Sequence, residues 1–348
     1  MKGKQGMVCM GLLLVLSSCH TGKQITASGL QRKDFQTEVN GQHTDLFTLS
    51  NKQGMEVCIT NYGARVVSIL VPDRNGKRKD VVCGFSTITE YMEQRQNFGS
   101  TVGRYIGRIL NARFTLDGVE YKLVPNNGKS GHISHGGNPG FADRIWKVEQ
   151  ADTHRVCLSY LSPDGENGFP GNLKVTLVYS LGEDDNALDL TYEATTDAPT
   201  VLNLSHHSFF NISGNFTKSV EDQQLWVDAD RFTPYDDKKC VTGEYLQVAG
   251  TPLDFRMPHA IGECIDADHP QLKVVNGYDH TWELNTKGDD TRPAAWVYDP
   301  ASGRKMEIFT TEPGMQIYTG NGLKGKMTGK GGIAYPFRSA VCFETMHF

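Results

Sequence analysis

Histidines, isolated carboxylates, amides and hydroxyls gather in four segments whose surroundings otherwise read as β-strand. The first is Asn203-Leu204-Ser205-His206-His207-Ser208-Phe209-Phe210-Asn211, and the second is Gly277-Tyr278-Asp279-His280. The third runs from Thr311 through Glu312-Pro313-Gly314-Met315-Gln316-Ile317-Tyr318 to Asn321. The fourth, Val341-Cys342-Phe343-Glu344-Thr345, sets one carboxylate in an apolar run. These are side chains that move protons or hold polar ligands. Taken singly, each also has an ordinary structural reading: a strand histidine is commonly a hydrogen-bonded core residue, and a glutamate after Phe343 can face solvent.

Two other chemistries fit less well. His132 and His135, in Gly131-His132-Ile133-Ser134-His135-Gly136-Gly137, offer half a metal site, but no HExxH motif and no carboxylate or cysteine at zinc spacing stands nearby. His206 and His207 are consecutive, so on a strand they point to opposite faces and cannot share an ion. Gly320, Gly325 and Lys326 nearly spell a phosphate-binding loop. Met327 replaces the required hydroxyl, however, and glycines 329, 331 and 332 argue against a following helix. The sequence therefore implies no metal.

The elements that must carry these residues are strands. Val66 to Val71 is an apolar run closed by the turn cluster Pro72-Asp73-Arg74-Asn75-Gly76. Phe114 to Leu116 and Val119 to Leu123 flank Asp117-Gly118, a type I′ hairpin signature. Lys174 to Leu181 and Ala187 to Ala194 alternate at period two around another turn. Helical periodicity is scarce, and Thr87 to Gln96 is its best candidate. Neither a linker nor a repeat divides the chain after residue 30, so one large all-β domain over 31–348 is expected. With 35 basic against 40 acidic residues and a net charge of −5, the chain lacks the basic excess of a nucleic-acid binder. No apolar run reaches the roughly 18 residues that span a bilayer. Cys58, Cys83, Cys157, Cys240, Cys264 and Cys342 are widely spaced and read mostly as buried free thiols, although their spacing leaves disulfides open.

The N-terminus reads differently. Lys2 and Lys4 precede an apolar stretch, Met7 to Leu16, and Leu16-Ser17-Ser18-Cys19 resembles the lipobox of bacterial lipoproteins. A buried helix or an ordinary cleaved signal peptide are the alternatives. The lipobox reading makes residues 1–18 a signal peptide, Cys19 the lipidated terminus and 19–30 a flexible tether. It implies a protein of the bacterial cell envelope, periplasmic or surface-facing, that meets the membrane only through its lipid anchor.

Beyond single motifs, an ordered series resembles the aldose 1-epimerase (galactose mutarotase) family along nearly the whole chain after the leader. It begins with Asn61-Tyr62-Gly63-Ala64, Gly103-Arg104-Tyr105-Ile106-Gly107-Arg108-Ile109 and His135-Gly136-Gly137. It continues through Ser162-Pro163-Asp164-Gly165-Glu166, Phe169-Pro170-Gly171, the His207 segment and Leu253-Asp254-Phe255-Arg256. The Asp279 segment, the Thr311–Asn321 run and Phe343-Glu344-Thr345 complete it. The resemblance implies a large antiparallel β-sandwich with the sugar in an open cleft, Glu344 as catalytic base and His207 as catalytic acid. Arg108, His135, Asp279 and Gln316 match positions that hold sugar hydroxyls. The implied reaction interconverts the α and β anomers of a free aldose by ring opening and reclosure. That chemistry leaves the oxidation state unchanged and implies no cofactor. It leads us to expect Glu344 ionised and His207 largely protonated, with Asp279 as electrostatic partner of the acid.

Three positions depart from the family. Gly107 stands where an asparagine usually precedes the arginine, and His206 precedes His207 where the family has asparagine. The chain also ends four residues after Glu344 whereas relatives continue, which implies a missing final strand and an unpaired apolar edge beside Glu344. These departures support a rival reading, a non-catalytic carbohydrate-binding protein on the same fold. A sugar-phosphate epimerase is a third.

Overall fold

The structure is a computed structural model and describes residues 24–348. The expected leader and the lipidation point Cys19 lie outside that range. Most of the described chain folds as antiparallel strands joined by tight turns. The first apolar run becomes Arg65–Pro72, and the Asp73 carboxylate after it accepts from the backbone N–H groups of Asn75 and Lys77. The hairpin of Arg113–Leu116 and Val119–Lys122 turns on Asp117 and Gly118, whose φ values of 51° and 79° are those of a type I′ turn. Leu173–Leu181 pairs along its full length with Leu188–Thr196. The one expected helix forms as Ile88–Gln94, started by a capping box in which Thr87 and Glu90 satisfy each other's backbone N–H groups.

Two pairs of facing sheets bury the main cores. Strands Leu46–Ser50, Glu56–Thr60, Arg65–Pro72 and Arg78–Asp80 form one four-stranded sheet. It packs through Leu49, Val57, Ile59 and Val66 onto Val156, Leu158, Val175, Leu177 and Tyr179 of the sheet Lys147–Ala151 to Leu188–Thr196. The second core lies under a six-stranded sheet. Its spatial order is Phe209–Phe210, Val341–Met346, Gly314–Tyr318, Asp279–Glu283, Arg231–Thr233 and Leu246–Gln247. Phe343, Ile317, Met315, Trp282 and Phe232 from this sheet meet Leu225, Val227, Ala295 and Val297 of a facing sheet. Because strand side chains alternate, residues between those apolar ones must lie on the opposite face. That opposite face is where the chemistry sits.

Two expectations change. The strand bearing Glu344 is not an edge: Phe209–Phe210 and Gly314–Tyr318 pair with it on either side, and Ser205–His207 runs alongside. Past its end, the Asn203 side chain accepts from the N–H of His347 and donates to its C=O, both at 3.0 Å, and the Tyr105 hydroxyl donates to the Phe348 carbonyl. A side-chain amide thus does what a neighbouring strand would do, and the predicted unpaired edge beside Glu344 is absent. The flexible tether expected over 19–30 is not found where that stretch is described. From residue 24 the chain is docked: Ile25 bridges to Gln31, Thr26 and Leu30 are buried, and the N–H of Ala27 donates to Glu56 Oε1 at 2.6 Å. An apolar Leu30 and a buried carboxylate in need of donors give this segment reason to pack. The six cysteines of the described chain are free thiols; Cys58, Cys83, Cys240 and Cys342 are buried. No described helix is long and apolar enough to cross a membrane.

Candidate active site

Strand register assembles the site. Glu344 lies opposite Gln316, and Gln316 opposite Thr281, so three polar side chains form one row across the six-stranded sheet. The adjacent row holds Cys342, Tyr318 and Asp279. Gln316 ties the rows together. Its Nε2 donates to Asp279 Oδ1 at 2.6 Å, while its Oε1 accepts from Thr281 Oγ1 at 3.0 Å and from the Tyr235 hydroxyl at 3.3 Å. An amide with both ends engaged cannot flip, so the Asp279 carboxylate is held in one orientation.

His207 comes from Ser205–His207, which pairs with Ser100–Val102 rather than with the six-stranded sheet. As consecutive strand residues should, His206 and His207 diverge. His206 packs near Tyr179, whereas His207 stacks on Phe209 and reaches Glu344. Its Nε2 lies 3.3 Å from Glu344 Oε1, and its Nδ1 lies 3.6 Å from Cys342 Sγ. Thiol and carboxylate approach opposite ring nitrogens whose lone pairs diverge. The three buried donors, though within 4.8 Å of one another, therefore do not converge on one ion.

The remaining wall is built from loops. Arg108 lies over the Tyr235 ring at 5.7 Å and donates from Nη1 to the Lys239 carbonyl. His135 adopts φ of 52° and anchors its N–H on the Gly107 carbonyl, with its ring 5.4 Å from that of His207. Gly136 behind it is required: a Cβ there would fall 2.0 Å from the Gly103 carbonyl oxygen. Buried Arg65 donates to the carbonyls of Gln96, Phe98 and Ala142 and so clamps the far wall. Together these residues border a cleft of about 240 Å³ that contains His207, Glu344, Arg108, His135, Asp279 and Gln316. All six residues singled out in the sequence as catalytic or sugar-holding line it. Sequence reasoning missed Gln96, Asn97, Ser134, Tyr318 and Phe209, which line it too. Tyr318 and Phe209 stood inside the quoted segments, but nothing marked their direction. Gln96 and Asn97 carried no signal.

The electrostatics correct one expectation. Burial lowers the His207 pKa to about 4. Burial also pushes Glu344 well above the usual carboxylate range; the Asp279 charge adds to this and Arg108 opposes it. Burial thus disfavours charge on both partners, against the expected ionised Glu344 and protonated His207. Removing both charges from water costs more than their attraction at 3.3 Å returns. Asp279 does not pair with His207 as expected. It faces Gln316, and its pKa is pushed up to about 6 by burial, with Arg108 and Gln316 restraining the rise. His135 is held down at about 3, by burial first and then by the neighbouring His207 and Arg108. Arg108 Nε and His135 Nδ1 are buried without a protein partner among the described residues, and both belong to residues of the cleft wall. A polar ligand in the cleft would satisfy them.

The family model described as aldose 1-epimerase matches residues 45–348. The chain belongs to the aldose 1-epimerase family. It is 38% identical to a galactose mutarotase of Sus scrofa over 302 residues, covering 87% of this chain and 85% of that protein. It is 36% identical to an aldose 1-epimerase of Escherichia coli (strain K12), covering 82% and 81%. Among solved structures, an aldose epimerase homologue from C. elegans superposes with a TM-score of 0.79 at 30% identity, covering 87% of this chain and 89% of that one. A galactose 1-epimerase from Lactobacillus acidophilus superposes at 0.78 with 29% identity, covering 89% and 88%. The expected galactose mutarotase architecture is thus the observed one.

Proposed function

We infer that this member of the aldose 1-epimerase family interconverts the α and β anomers of free aldoses of the glucose and galactose type. The observation that carries the reading is the buried His207–Glu344 pair at 3.3 Å on the floor of a cleft rimmed by Arg108, His135, Asp279 and Gln316. Ring opening needs one group to take the C1 hydroxyl proton and another to protonate the ring oxygen; closure on the other carbonyl face reverses both transfers. A pair that holds one proton can supply both functions and ends each cycle in the state in which it began.

Burial favours holding that proton on Glu344, whose carboxyl is pushed well above the usual range. A bound pyranose brings hydroxyl donors to the carboxylate and lets Arg108 act at closer range, which favours the ionised carboxylate. The proton then passes across the short contact to His207, leaving Glu344 as base toward the C1 hydroxyl and His207 as acid toward the ring oxygen. Each positioned transfer contributes roughly 10²–10⁴-fold to the rate. Arg108 supplies a planar fork suited to vicinal hydroxyls, and Asp279, held by Gln316, accepts from another. A binding-only protein would have no use for the paired acid and base.

The test is polarimetry of freshly dissolved α-glucose and α-galactose. Wild-type protein should accelerate the decay of rotation, and Glu344→Gln and His207→Asn should each lose about 10²–10⁴-fold while still binding sugar by calorimetry. A wild-type rate equal to that of buffer sinks the reading. The lipobox-like Leu16-Ser17-Ser18-Cys19 supports a further part of the proposal, action from a lipid anchor in the cell envelope. Expressed in a bacterium, the full chain should partition with membranes and carry acyl chains on Cys19 by mass spectrometry, whereas Cys19→Ser should be released. A soluble, unacylated wild type would refute the anchor alone.

A further inference from the structure

The acid of the reacting pair is held from behind. The Gly99 N–H donates to the His207 carbonyl at 3.0 Å, and the His207 ring stacks on Phe209 at 5.1 Å with 23° between the planes. Phe209 in turn meets the Phe98 ring edge-on at 4.8 Å. Both the backbone and the ring plane of His207 therefore depend on one short segment, Gln96 to Gly99. Gly99 leaves that segment little freedom. Its carbonyl accepts from the Val66 N–H at 2.8 Å, and a Cβ at its φ of 65° would fall 1.8 Å from the Val66 carbonyl oxygen.

What holds the segment is Arg65. Its Nη1 donates to the carbonyls of Gln96 at 2.7 Å and Phe98 at 3.1 Å, one on each side of Asn97, while Nη2 donates to the Ala142 carbonyl at 2.7 Å. The residue is 1% exposed, and its Nε has no partner among the described residues. Tyr62 and Tyr91 present their rings 5.5 and 5.1 Å from the guanidinium, and Tyr179 and Asp143 are the other titratable groups that act on it. A cation this deep, whose acceptors are all carbonyls, costs stability, and burial pulls its pKa down. An apolar side chain of similar length would avoid that cost but leave three carbonyls without these donors. The same charge reaches His207. After burial, it is what lowers the imidazole pKa, while Glu344, Cys342 and His135 face that ring from other sides.

We propose that Arg65 is a positioning residue for the anomer interconversion: its guanidinium locks the Gln96–Gly99 segment from which His207 is hung, and so aims the imidazole at the ring oxygen of the sugar. The proposal rests on the anomer-interconverting reading of the site and adds a member to its machinery. Arg65 acts through Phe98 and Gly99, and its charge favours release of the His207 proton.

Arg65→Met, Arg65→Lys and Phe98→Leu are compared with wild type by polarimetry on glucose and galactose, by urea unfolding and by NMR titration of the His207 ring. Arg65→Met removes fork and charge together. It should lose about tenfold to a hundredfold in kcat, the scale of an ångström-size misplacement of a reacting group, with KM changed less than about threefold. Its His207 titration, and the limb of the pH–rate profile that follows it, should move to higher pH. Arg65→Lys keeps the charge without the planar fork, so it should titrate as wild type does and regain only part of kcat. Phe98→Leu keeps Arg65 but removes the ring behind Phe209; kcat should fall about threefold to tenfold with the titration unmoved. If folded Arg65→Met keeps kcat within about twofold of wild type and the His207 titration in place, a loss of stability alone makes the role structural and refutes the proposal. Should Arg65→Met fail to fold, wild-type kcat in both Arg65→Lys and Phe98→Leu refutes it. If wild type accelerates neither sugar, the catalytic reading itself falls and takes the role of Arg65 with it.

Discussion

Asp279→Asn should make the protein more stable and a worse enzyme, with a pH signature that identifies the cause. Burial raises the Asp279 pKa to about 6, whereas the same carboxyl in an unfolded chain titrates near 3.9. The folded state therefore binds this proton more tightly, and the group costs stability as pH rises from about 4 through 6. Two units at 1.36 kcal/mol each make the full cost about 3 kcal/mol above that range, with roughly half already present at pH 5. An asparagine keeps an oxygen to accept from Gln316 Nε2, now 2.6 Å from Asp279 Oδ1, but that bond loses its charge assistance, about 1 kcal/mol. The variant should then exceed wild type by about 2 kcal/mol at pH 8, and the margin should shrink by about 1.4 kcal/mol at pH 5. Urea unfolding of both proteins across that range measures the difference, and titrations common to both cancel. Meanwhile kcat/KM for a free aldose should fall about tenfold to a hundredfold, the worth of a hydrogen bond to a charged acceptor. A margin independent of pH, or a variant less stable than wild type at pH 8, would refute the claim that Asp279 is a half-buried charge kept for function.

Three further outcomes follow from the same geometry. Gly107 has φ of 76°, which asparagine also tolerates, and a Cβ there meets only the flexible end of Met346 at 3.3 Å. Gly107→Asn should therefore fold normally and lower KM for monosaccharides several-fold, read by polarimetry; an unchanged KM would mean that the amide has nothing to contact. Cys342 Sγ meets His207 Nδ1, so Cys342 is a positioning residue. Cys342→Ala should cut kcat about threefold to tenfold, the worth of one hydrogen bond, and displace the pH–rate profile with KM unmoved, and Cys342→Ser should restore much of it; loss of stability without a changed profile would make the role merely structural. Asn203→Ala removes the clamp on His347 and should cost about 2 kcal/mol by urea unfolding. It should also raise hydrogen exchange over residues 341–348, and protection there equal to wild type would contradict it.

Much of this protein was legible from its sequence because strands and turns announce themselves locally. The Asp117-Gly118 hairpin, the Thr87 capping box and the paired runs ending at Leu181 and beginning at Leu188 depend on residues a few positions apart. The divergence of His206 and His207 needed only the two-residue period of a strand. The six site residues were also legible, but only through an ordered series of motifs resembling a family. Local pattern could not distinguish Glu344 from a glutamate facing solvent. What stayed hidden were partners far apart in the chain, such as Asn203 standing in for a strand beside His347. A polar cavity of about 340 Å³ beside the cleft is of the same kind, drawing Arg95, Asn127 and Asp143 from three separate segments.

Residue types and their alternation determined which side chains would face away from an apolar core. The tertiary structure alone decided that Glu344, Gln316 and Thr281 share a row, that His207 arrives from another sheet to meet them, and that burial disfavours charge on both His207 and Glu344. Register and burial are properties of the assembled chain. A one-residue slip would exchange the polar face for the apolar one, and the cost of charging His207 and Glu344 is set by how much water the surrounding sheets exclude.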